Sequence, residues 1–416
     1  MERILKSAIA AVLCCLVAAP AASAASAPYD PNTVLVKYAG GASSSQRSLV
    51  GRLAGVVETL GRVTGADLVR VTGDPAAVAA RLNRSASVVY AEPNHIVRAS
   101  APQFPTDPRF GELYGLHNTG QGGGSADADV DAPEGWGSSP ALAGFPGDGG
   151  VKVGIVDTGV TAGHEDLSGK VADCAGVKSF GINLLIITLL ADPTIVGGKC
   201  ADDNGHGTHV AGTIAARANN GRGVAGVAFN SPLAICKALD ASGAGTVAAI
   251  ANCIAYLASV GSKVISLSLG TTANSTTLAN AVATASSTAL LVAAAGNGGD
   301  GALNYPAAYP QVVSVAATDR NDARASFSTF NDDVEIAAPG VDVLSTWNNG
   351  GYQAISGTSM ATPHVAGVAA LIAGRVGGGP AQWRAQLDAS VDDLGAPGRD
   401  PQFGFGRVNL ARALAP

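Results

Sequence analysis

Residues 356–364 read Ser356-Gly-Thr-Ser359-Met-Ala-Thr-Pro363-His364, and an apolar run, Val365–Ala373, follows. The pattern is a glycine turn that becomes a helix, with a serine at the junction. There the Ser359 hydroxyl and its own backbone N–H sit at the positive end of the helix. Capping a helix is the commonest use of serine in such a place. The stretch therefore needs partners before it implies any chemistry.

Two earlier motifs supply them. Val153-Gly-Ile-Val-Asp157-Thr-Gly159 ends an apolar strand on an aspartate and turns at once on a glycine. By itself Asp157 is a turn-initiating residue. Asn204-Gly-His206-Gly-Thr-His209-Val-Ala-Gly212 is a loop entering a helix through a histidine. His206 and His209 stand three apart with no glutamate between them, unlike the His-Glu-x-x-His of zinc peptidases. That makes His206 a candidate base and His209 a structural histidine. Asp, His and Ser together are the groups that turn a hydroxyl into a nucleophile.

The surroundings give the fold class. Val151–Val156, Leu233–Ala238, Val264–Leu269, Leu290–Ala294 and Val312–Ala316 read as buried strands, and helical patterns such as Val247–Ser259 and Thr277–Ser286 fall between them. This alternation predicts an α/β fold, a parallel sheet wrapped by helices. In such sheets functional residues collect where strands end and helices begin. Upstream, Thr33–Tyr38, Ala66–Val71 and a stretch from Val88 look like strands. Gln46–Leu53 suits a short helix, and Asp74-Pro75 opens another that runs to about Arg84. With room for one more strand near Val56, this is a small α+β unit of split βαβ type. Ile96–Pro108 is rich in Pro and Ala and reads as a linker.

Composition narrows the class further. The 416 residues include 54 glycines, are 47% hydrophobic and only 14% charged, against roughly 25% charged in an ordinary soluble chain. A large core is implied and disorder is excluded as the main state. A net charge of −6 argues against a nucleic-acid partner. The charge is uneven, net +3 over residues 25–100 and −10 over 101–416, which suits docking of one part on the other. Residues 1–24 carry Arg3, Lys6, the apolar run Ser7–Ala19, Pro20 and Ala22-Ser23-Ala24. That is an export signal with a cleavage site, and it is too short for the roughly 20 apolar residues of a membrane span. A secreted product with no membrane anchor follows. Export leaves Cys174, Cys200, Cys236 and Cys253 in an oxidising compartment, where two disulfides are expected. Three pairings exist. Pairing of sequence neighbours, Cys174–Cys200 and Cys236–Cys253, closes the shortest loops, and a four-cysteine zinc site lacks the usual paired spacings.

At this point the chain resembles the subtilisin-like serine proteases (subtilases) with their propeptide. The resemblance runs from about Tyr29 to the C-terminus. It rests on the three motifs in the order Asp, His, Ser, and on Gly115-Leu-His-Asn-Thr-Gly-Gln121, Ala338-Pro-Gly340 and Phe405-Gly-Arg-Val-Asn409. Residues 28–98, ending Tyr90-Ala-Glu-Pro-Asn94, resemble the family's inhibitor-like propeptide. The resemblance implies three segments: a signal over 1–24, a ferredoxin-like propeptide over 25–100, and a catalytic domain over 101–416 with helices on both sheet faces.

It also implies roles. Ser359 attacks the scissile carbonyl, His206 takes the proton, and Asp157 orients His206. The oxyanion is held by the Ser359 N–H and by Asn297, in Ala294-Ala295-Gly296-Asn297-Gly298. Ser268-Leu269-Gly270 pairs with the substrate backbone, Ala295-Gly296 forms the facing wall, and Asn304-Tyr305-Pro306-Ala307 ends the pocket for the residue before the cut. No acidic residue stands there, so large apolar side chains are preferred over Lys or Arg. Catalysis needs no cofactor, whereas Asp107, Asp166 and Asn220, with Asn219, would supply oxygens to a structural Ca²⁺. The alternative for these residues is solvent-facing turns. Partners are protein or peptide substrates and the chain's own propeptide, which acts as folding aid and intramolecular inhibitor until a self-processing cut. The enzyme is expected to be a monomer. His95, near the propeptide tail, is either a plain exposed histidine or a protonation switch on docking.

One segment departs from the family. The stretch between Asp157 and His206 is long and carries Ile182-Asn-Leu-Leu-Ile-Ile-Thr-Leu-Leu190, which reads as a flap, a buried strand or a partner contact. Two other functions compete with the endopeptidase. A catalytically silent binding protein is disfavoured by the presence of all four chemical residues. A serine peptidase with a glutamate base, acting in acid, is disfavoured by the His206 motif.

Overall fold

The computed structural model describes residues 29–95, 102–137, 151–184, 187–189 and 191–415. The export signal read at 1–24 and the first part of the linker lie outside them. The chain divides into two compact units between Ala99 and Ser100.

The N-terminal unit runs β1 (Tyr29–Tyr38), α1 (Ser44–Ala54), β2 (Val56–Val63), β3 (Ala66–Val71), α2 (Pro75–Leu82) and β4 (Val88–His95). Each helix starts where the sequence supplies a cap. Ser43 and Gln46 form a capping box for α1, and Asp74 with Pro75 begins α2. The strands form one antiparallel sheet in the order β2-β3-β1-β4, a ferredoxin-like arrangement. Alternate residues Val34, Val36, Val69 and Val71 are buried with Val78 and Leu82 of α2. The strand anticipated near Val56 is β2.

The C-terminal unit begins its regular structure with α3 (Ala132–Gly137) and β5 (Val153–Asp157). β6 (Val171–Ser179), β7 (Ile182–Leu184), β8 (Ile187–Leu189) and β9 (Asp192–Gly197) follow, then α4 (His206–Ala215). The alternating part comprises β10 (Leu233–Lys237), α5 (Val247–Ser259), β11 (Val264–Leu267), α6 (Thr276–Ala285), β12 (Leu290–Ala294) and β13 (Val312–Thr318). β14 (Ile336–Pro339), β15 (Val343–Thr346) and β16 (Tyr352–Ile355) lead to the long α7 (Thr358–Val376). α8 (Pro380–Asp388), β17 (Val391–Asp392), β18 (Arg407–Val408) and α9 (Leu410–Ala413) close the chain.

Ten strands form one sheet in the order β17-β18-β14-β13-β12-β11-β5-β10-β6-β9. Only the outermost pairs, β17–β18 and β6–β9, are antiparallel. The central strands are buried along their whole length. They are continuous apolar runs because helices cover both faces. Val210 and Ile214 of α4 share one core with Val365 and Val368 of α7. Ile250, Ile254 and Leu257 of α5 share the other with Leu278 and Val282 of α6.

Two details position the site. β5 lies between β10 and β11, where the chain's direction of travel across the sheet reverses, the usual place for a ligand crevice. β11 stops at Leu267, two residues earlier than the apolar run suggested, so Ser268–Gly270 lie beyond its end.

The described parts of the apolar run, Ile182–Leu184 and Ile187–Leu189, do not join the main sheet. β7 and β8 pair with each other as a separate antiparallel hairpin, Ile182 opposite Leu189, between β6 and β9. The cysteines pair Cys174–Cys200 and Cys236–Cys253, the pairing of sequence neighbours. Among the described residues no helix is long and apolar enough to cross a membrane.

Candidate active site

Asp157 is the last residue of β5 and is wholly buried. Its Oδ1 accepts the Thr158 N–H at 2.7 Å and faces His206 Nδ1 at 2.8 Å. His206 is the first residue of α4, with one quarter of its side chain exposed. The turn into α4 is made by Gly205 at φ 116°, where a Cβ would lie 2.4 Å from the Trp347 ring. Only glycine fits both the backbone and the space. Burial alone would keep the imidazole neutral, but the charge and hydrogen bond of Asp157, with Asp202 adding, raise its pKa above the ordinary value.

Ser359 is the second residue of α7 and not its cap, which is Gly357. Its Oγ donates to the Ser268 carbonyl at 3.2 Å, and Ser268 Oγ donates back to the Ser359 carbonyl at 2.8 Å. The second bond has a cause in the sequence. Pro363 has no N–H to give the carbonyl four residues before it, so the Ser359 carbonyl is left for Ser268. Asn297 lies just beyond β12. Its Oδ1 accepts the Thr358 N–H and the Thr358 hydroxyl, both at 2.9 Å. This fixes the carboxamide with its nitrogen toward Gly357. Sequence reasoning missed Thr358, and only its place beside Ser359 could have drawn attention to it.

Ser268, Leu269 and Gly270 line a cleft of about 590 Å³ with His206, Asn204, Leu239, Val247 and Ile250, and no carboxylate lines it. Ala295 is buried and Gly296 turns at φ 118°. Asn304 is packed between this glycine and Gly270, and its Nδ2 donates to the Ala294 carbonyl at 2.9 Å. A Cβ at Gly270 would lie 2.1 Å from that nitrogen. The missing side chain at Gly270 is thus what leaves room for Asn304.

Asp107, Asp166 and Asn220 also come together. Asp107 is 4% exposed and Asp166 fully buried. Asp107 accepts the N–H groups of Asn219 at 2.6 Å and Asn220 at 3.1 Å. Asp166 accepts the Asn220 side chain at 2.8 Å, the Val224 N–H at 2.9 Å and the Tyr352 hydroxyl at 2.9 Å. These are not solvent-facing turns. The nearby Arg222 pairs with Glu165, and among the described residues neither buried carboxylate has a Lys or Arg partner. An all-oxygen set of this kind is the ligand chemistry that suits Ca²⁺. Among the described residues no three His, Cys, Asp or Glu side chains gather as a metal cluster.

His209 is buried, its Nε2 against the carbonyls of Val343 and Gln353. Burial pushes its pKa down to about 3. His95 is exposed and lies edge-on to Tyr29.

Comparison with known proteins bears on this arrangement. The subtilase family model, Peptidase S8, matches residues 148–406. The fervidolysin N-terminal prodomain matches 16–94, beginning inside the stretch read as an export signal. Thermitase of Thermoactinomyces vulgaris is 43% identical over 286 residues, 68% of this chain and 93% of its own. A thermophilic serine proteinase of Bacillus sp. (strain AK1) is 38% identical over 344 residues, 82% and 76%. Among solved structures, a protease of Pseudoalteromonas arctica PAMC 21717 superposes with a TM-score of 0.60 at 32% identity, covering 74% of this chain and 98% of that one.

Proposed function

We propose a function from one premise: the chain belongs to the subtilase family of serine proteases and carries an N-terminal prodomain. The protein is an exported serine endopeptidase, made as a zymogen that cuts itself free of residues up to about 100. The observation that carries this reading is the 2.8 Å contact of His206 Nδ1 with the buried Asp157. With Nδ1–H donated to Asp157, Nε2 is left to accept a proton.

The Ser359 hydroxyl turns from the Ser268 carbonyl to His206, gives up its proton and attacks the scissile carbonyl. The oxyanion that forms is held by the Ser359 N–H and by Asn297 Nδ2. His206 then passes its proton to the leaving amine, and an acyl-Ser359 ester remains. Water, deprotonated by His206, hydrolyses that ester and restores the serine. Asp157 stays ionised throughout and stabilises the imidazolium.

Ser268–Gly270 pair with the substrate backbone, and the slot ended by Asn304 takes the side chain before the cut. A large apolar side chain is expected there, since Asn304-Tyr305-Pro306-Ala307 offers no Asp or Glu to pair with Lys or Arg. The N-terminal unit is the intramolecular inhibitor, released by the cut. Asp107, Asp166 and Asn220 would hold a structural Ca²⁺, which would supply positive charge to the two buried carboxylates and take no part in bond breaking. EGTA is expected to lower the melting temperature of the purified enzyme. An unchanged melt would remove the ion from the account.

A second reading, a catalytically silent binding protein, draws on the Ser359 hydroxyl's bond to Ser268 in place of His206. One experiment separates the two. Casein hydrolysis blocked by a serine-directed inhibitor and lost in Ser359→Ala supports the peptidase. N-terminal sequencing of the same two proteins reads self-processing, which is expected in the wild type alone. Absence of hydrolysis in the wild type would leave the silent reading.

A further inference from the structure

Asp202 stands four residues before His206 and takes no part in the proton transfers above. One carboxylate nevertheless gathers five donors. Its Oδ1 accepts the Thr158 hydroxyl at 2.9 Å and the N–H groups of Asn204 and Gly205, each at 3.0 Å. Its Oδ2 accepts the Thr208 N–H at 3.0 Å and the Thr208 hydroxyl at 2.5 Å. That saturates the acceptor sites of a carboxylate, with donors from both sides of His206 and from the residue after Asp157.

We propose that Asp202 is the positioning residue of this site, clamping the turn that carries His206 onto the backbone that carries Asp157 and thereby setting the turnover and the working pH of His206. The inference rests on the peptidase reading above. Thr158 is the joint of the clamp. Its hydroxyl donates to Asp202 and accepts the Gly207 N–H at 2.9 Å, while its own N–H holds the Asp157 oxygen that meets His206. A closed ring therefore runs from Asp157 through Thr158, Asp202 and the start of α4 back to Asp157. The imidazole cannot tilt without breaking a member of it.

The charge of Asp202 acts as well. Burial opposes its ionisation, but the Thr208 hydroxyl and the N–H groups of Gly205 and Asn204 outweigh burial and hold its pKa below the usual carboxylate value. It is therefore an anion wherever the enzyme works. The other titratable groups around the turn are Asp157 on β5, Lys237 on β10, Asp203 in the loop and His209 on α4, which is uncharged. Lys237 binds Asp203 and the carbonyls of Thr158 and Leu239, each within 2.9 Å. Lys237 and Asp203 thus offset one another and leave Asp157 and Asp202 to act on His206.

Four variants of the full-length chain test this, with rates given per active site titrated by a fluorophosphonate. Asp202→Asn is expected to lower kcat at least fivefold and to move the acid limb of kcat/KM down by about half a unit or more. Thr158→Val breaks the clamp and keeps the charge, so kcat falls about tenfold while the limb stays. Thr158→Ser restores kcat. Asp203→Asn, one residue away and with 54% of its side chain exposed, leaves both within about twofold. The inference is overturned if Asp202→Asn leaves the limb in place, or if Asp203→Asn moves it equally. If Asp202→Asn does not mature, Thr158→Val decides, and a kcat within twofold of wild type rejects the clamp. A wild type that neither hydrolyses casein nor reacts with the fluorophosphonate sinks the peptidase reading and this inference together. An active wild type with unaffected variants sinks this inference alone.

Discussion

Asn297→Leu removes the side-chain oxyanion donor and leaves the Ser359 N–H in place. In subtilisin the loss of such a donor costs about 10²–10³ in turnover, or about 2.7–4 kcal/mol, and that borrowed figure is the expectation here. The structure adds a smaller step that it alone suggests. Asn297 Oδ1 accepts from Thr358 twice, through the N–H and through the hydroxyl. Thr358→Val deletes the second bond and keeps the first, so the carboxamide is loosened and not freed. One neutral hydrogen bond is worth about 1 kcal/mol, or about a fivefold fall in kcat. KM should stay within about twofold, because the oxyanion exists only beyond the ground state. The assay is kcat and KM on a chromogenic peptide with Phe before the cut, with active sites titrated. The double variant Asn297→Leu/Thr358→Val is expected to match Asn297→Leu alone, since Thr358 acts through Asn297. A further fivefold loss in the double variant would refute that coupling. It would assign the effect to the Thr358 hydroxyl's other contact, the Gly296 N–H at 3.3 Å. An Asn297→Leu enzyme with altered KM and intact kcat would refute the oxyanion role itself.

Four further outcomes are expected. Because the His206 pKa lies above the ordinary 6.5, kcat/KM should rise with pH through a limb above that value; a limb below it in a pH–rate profile would contradict the pairing with Asp157. The same shift acts oppositely on stability: the contribution of protonated His206 is fully present below about 6.5, is lost as pH rises through the higher folded-state value, and should vanish from the melting profile of His206→Ala. Replacing Cys236 and Cys253 by alanine opens a loop with a sequence separation of 17 and should cost about 3 kcal/mol in urea unfolding; an unchanged midpoint would show that the bridge adds nothing to the packing of β10 and α5. Paired Phe and Arg chromogenic peptides should show higher kcat/KM for Phe, and a clear preference for Arg would refute the reading of the Asn304 slot.

Much of this was legible in the sequence, for identifiable reasons. Central strands buried on both faces must be uninterrupted apolar runs, so β5, β10, β12 and β13 announced themselves. The cap Asp74-Pro75 did the same for α2. The boundary of β11 was less legible, because Leu269 extends the apolar pattern past Leu267, the last paired residue. The run at 182–190 has strand composition but no signal of which strand it pairs with.

Contacts across the fold were legible only in half. Pro363 announces a carbonyl four residues back with no helical partner, but not that Ser268, 91 positions away, supplies the donor. Asp202 looks like one more loop aspartate beside Asp203, and the two are chemically identical in a sequence. What separates them is direction. Asp203 points to Lys237 at the end of β10, and Asp202 turns inward to Thr158 at the end of β5. That direction exists because β10 lies beside β5 in the sheet, so strand order chooses which aspartate serves the histidine. Motifs give the reacting groups, whereas the groups that hold them come from neighbours the sheet creates. Asp202→Asn, which removes the inward-turned charge and leaves Asp203 in place, therefore tests the topology and the chemistry at once.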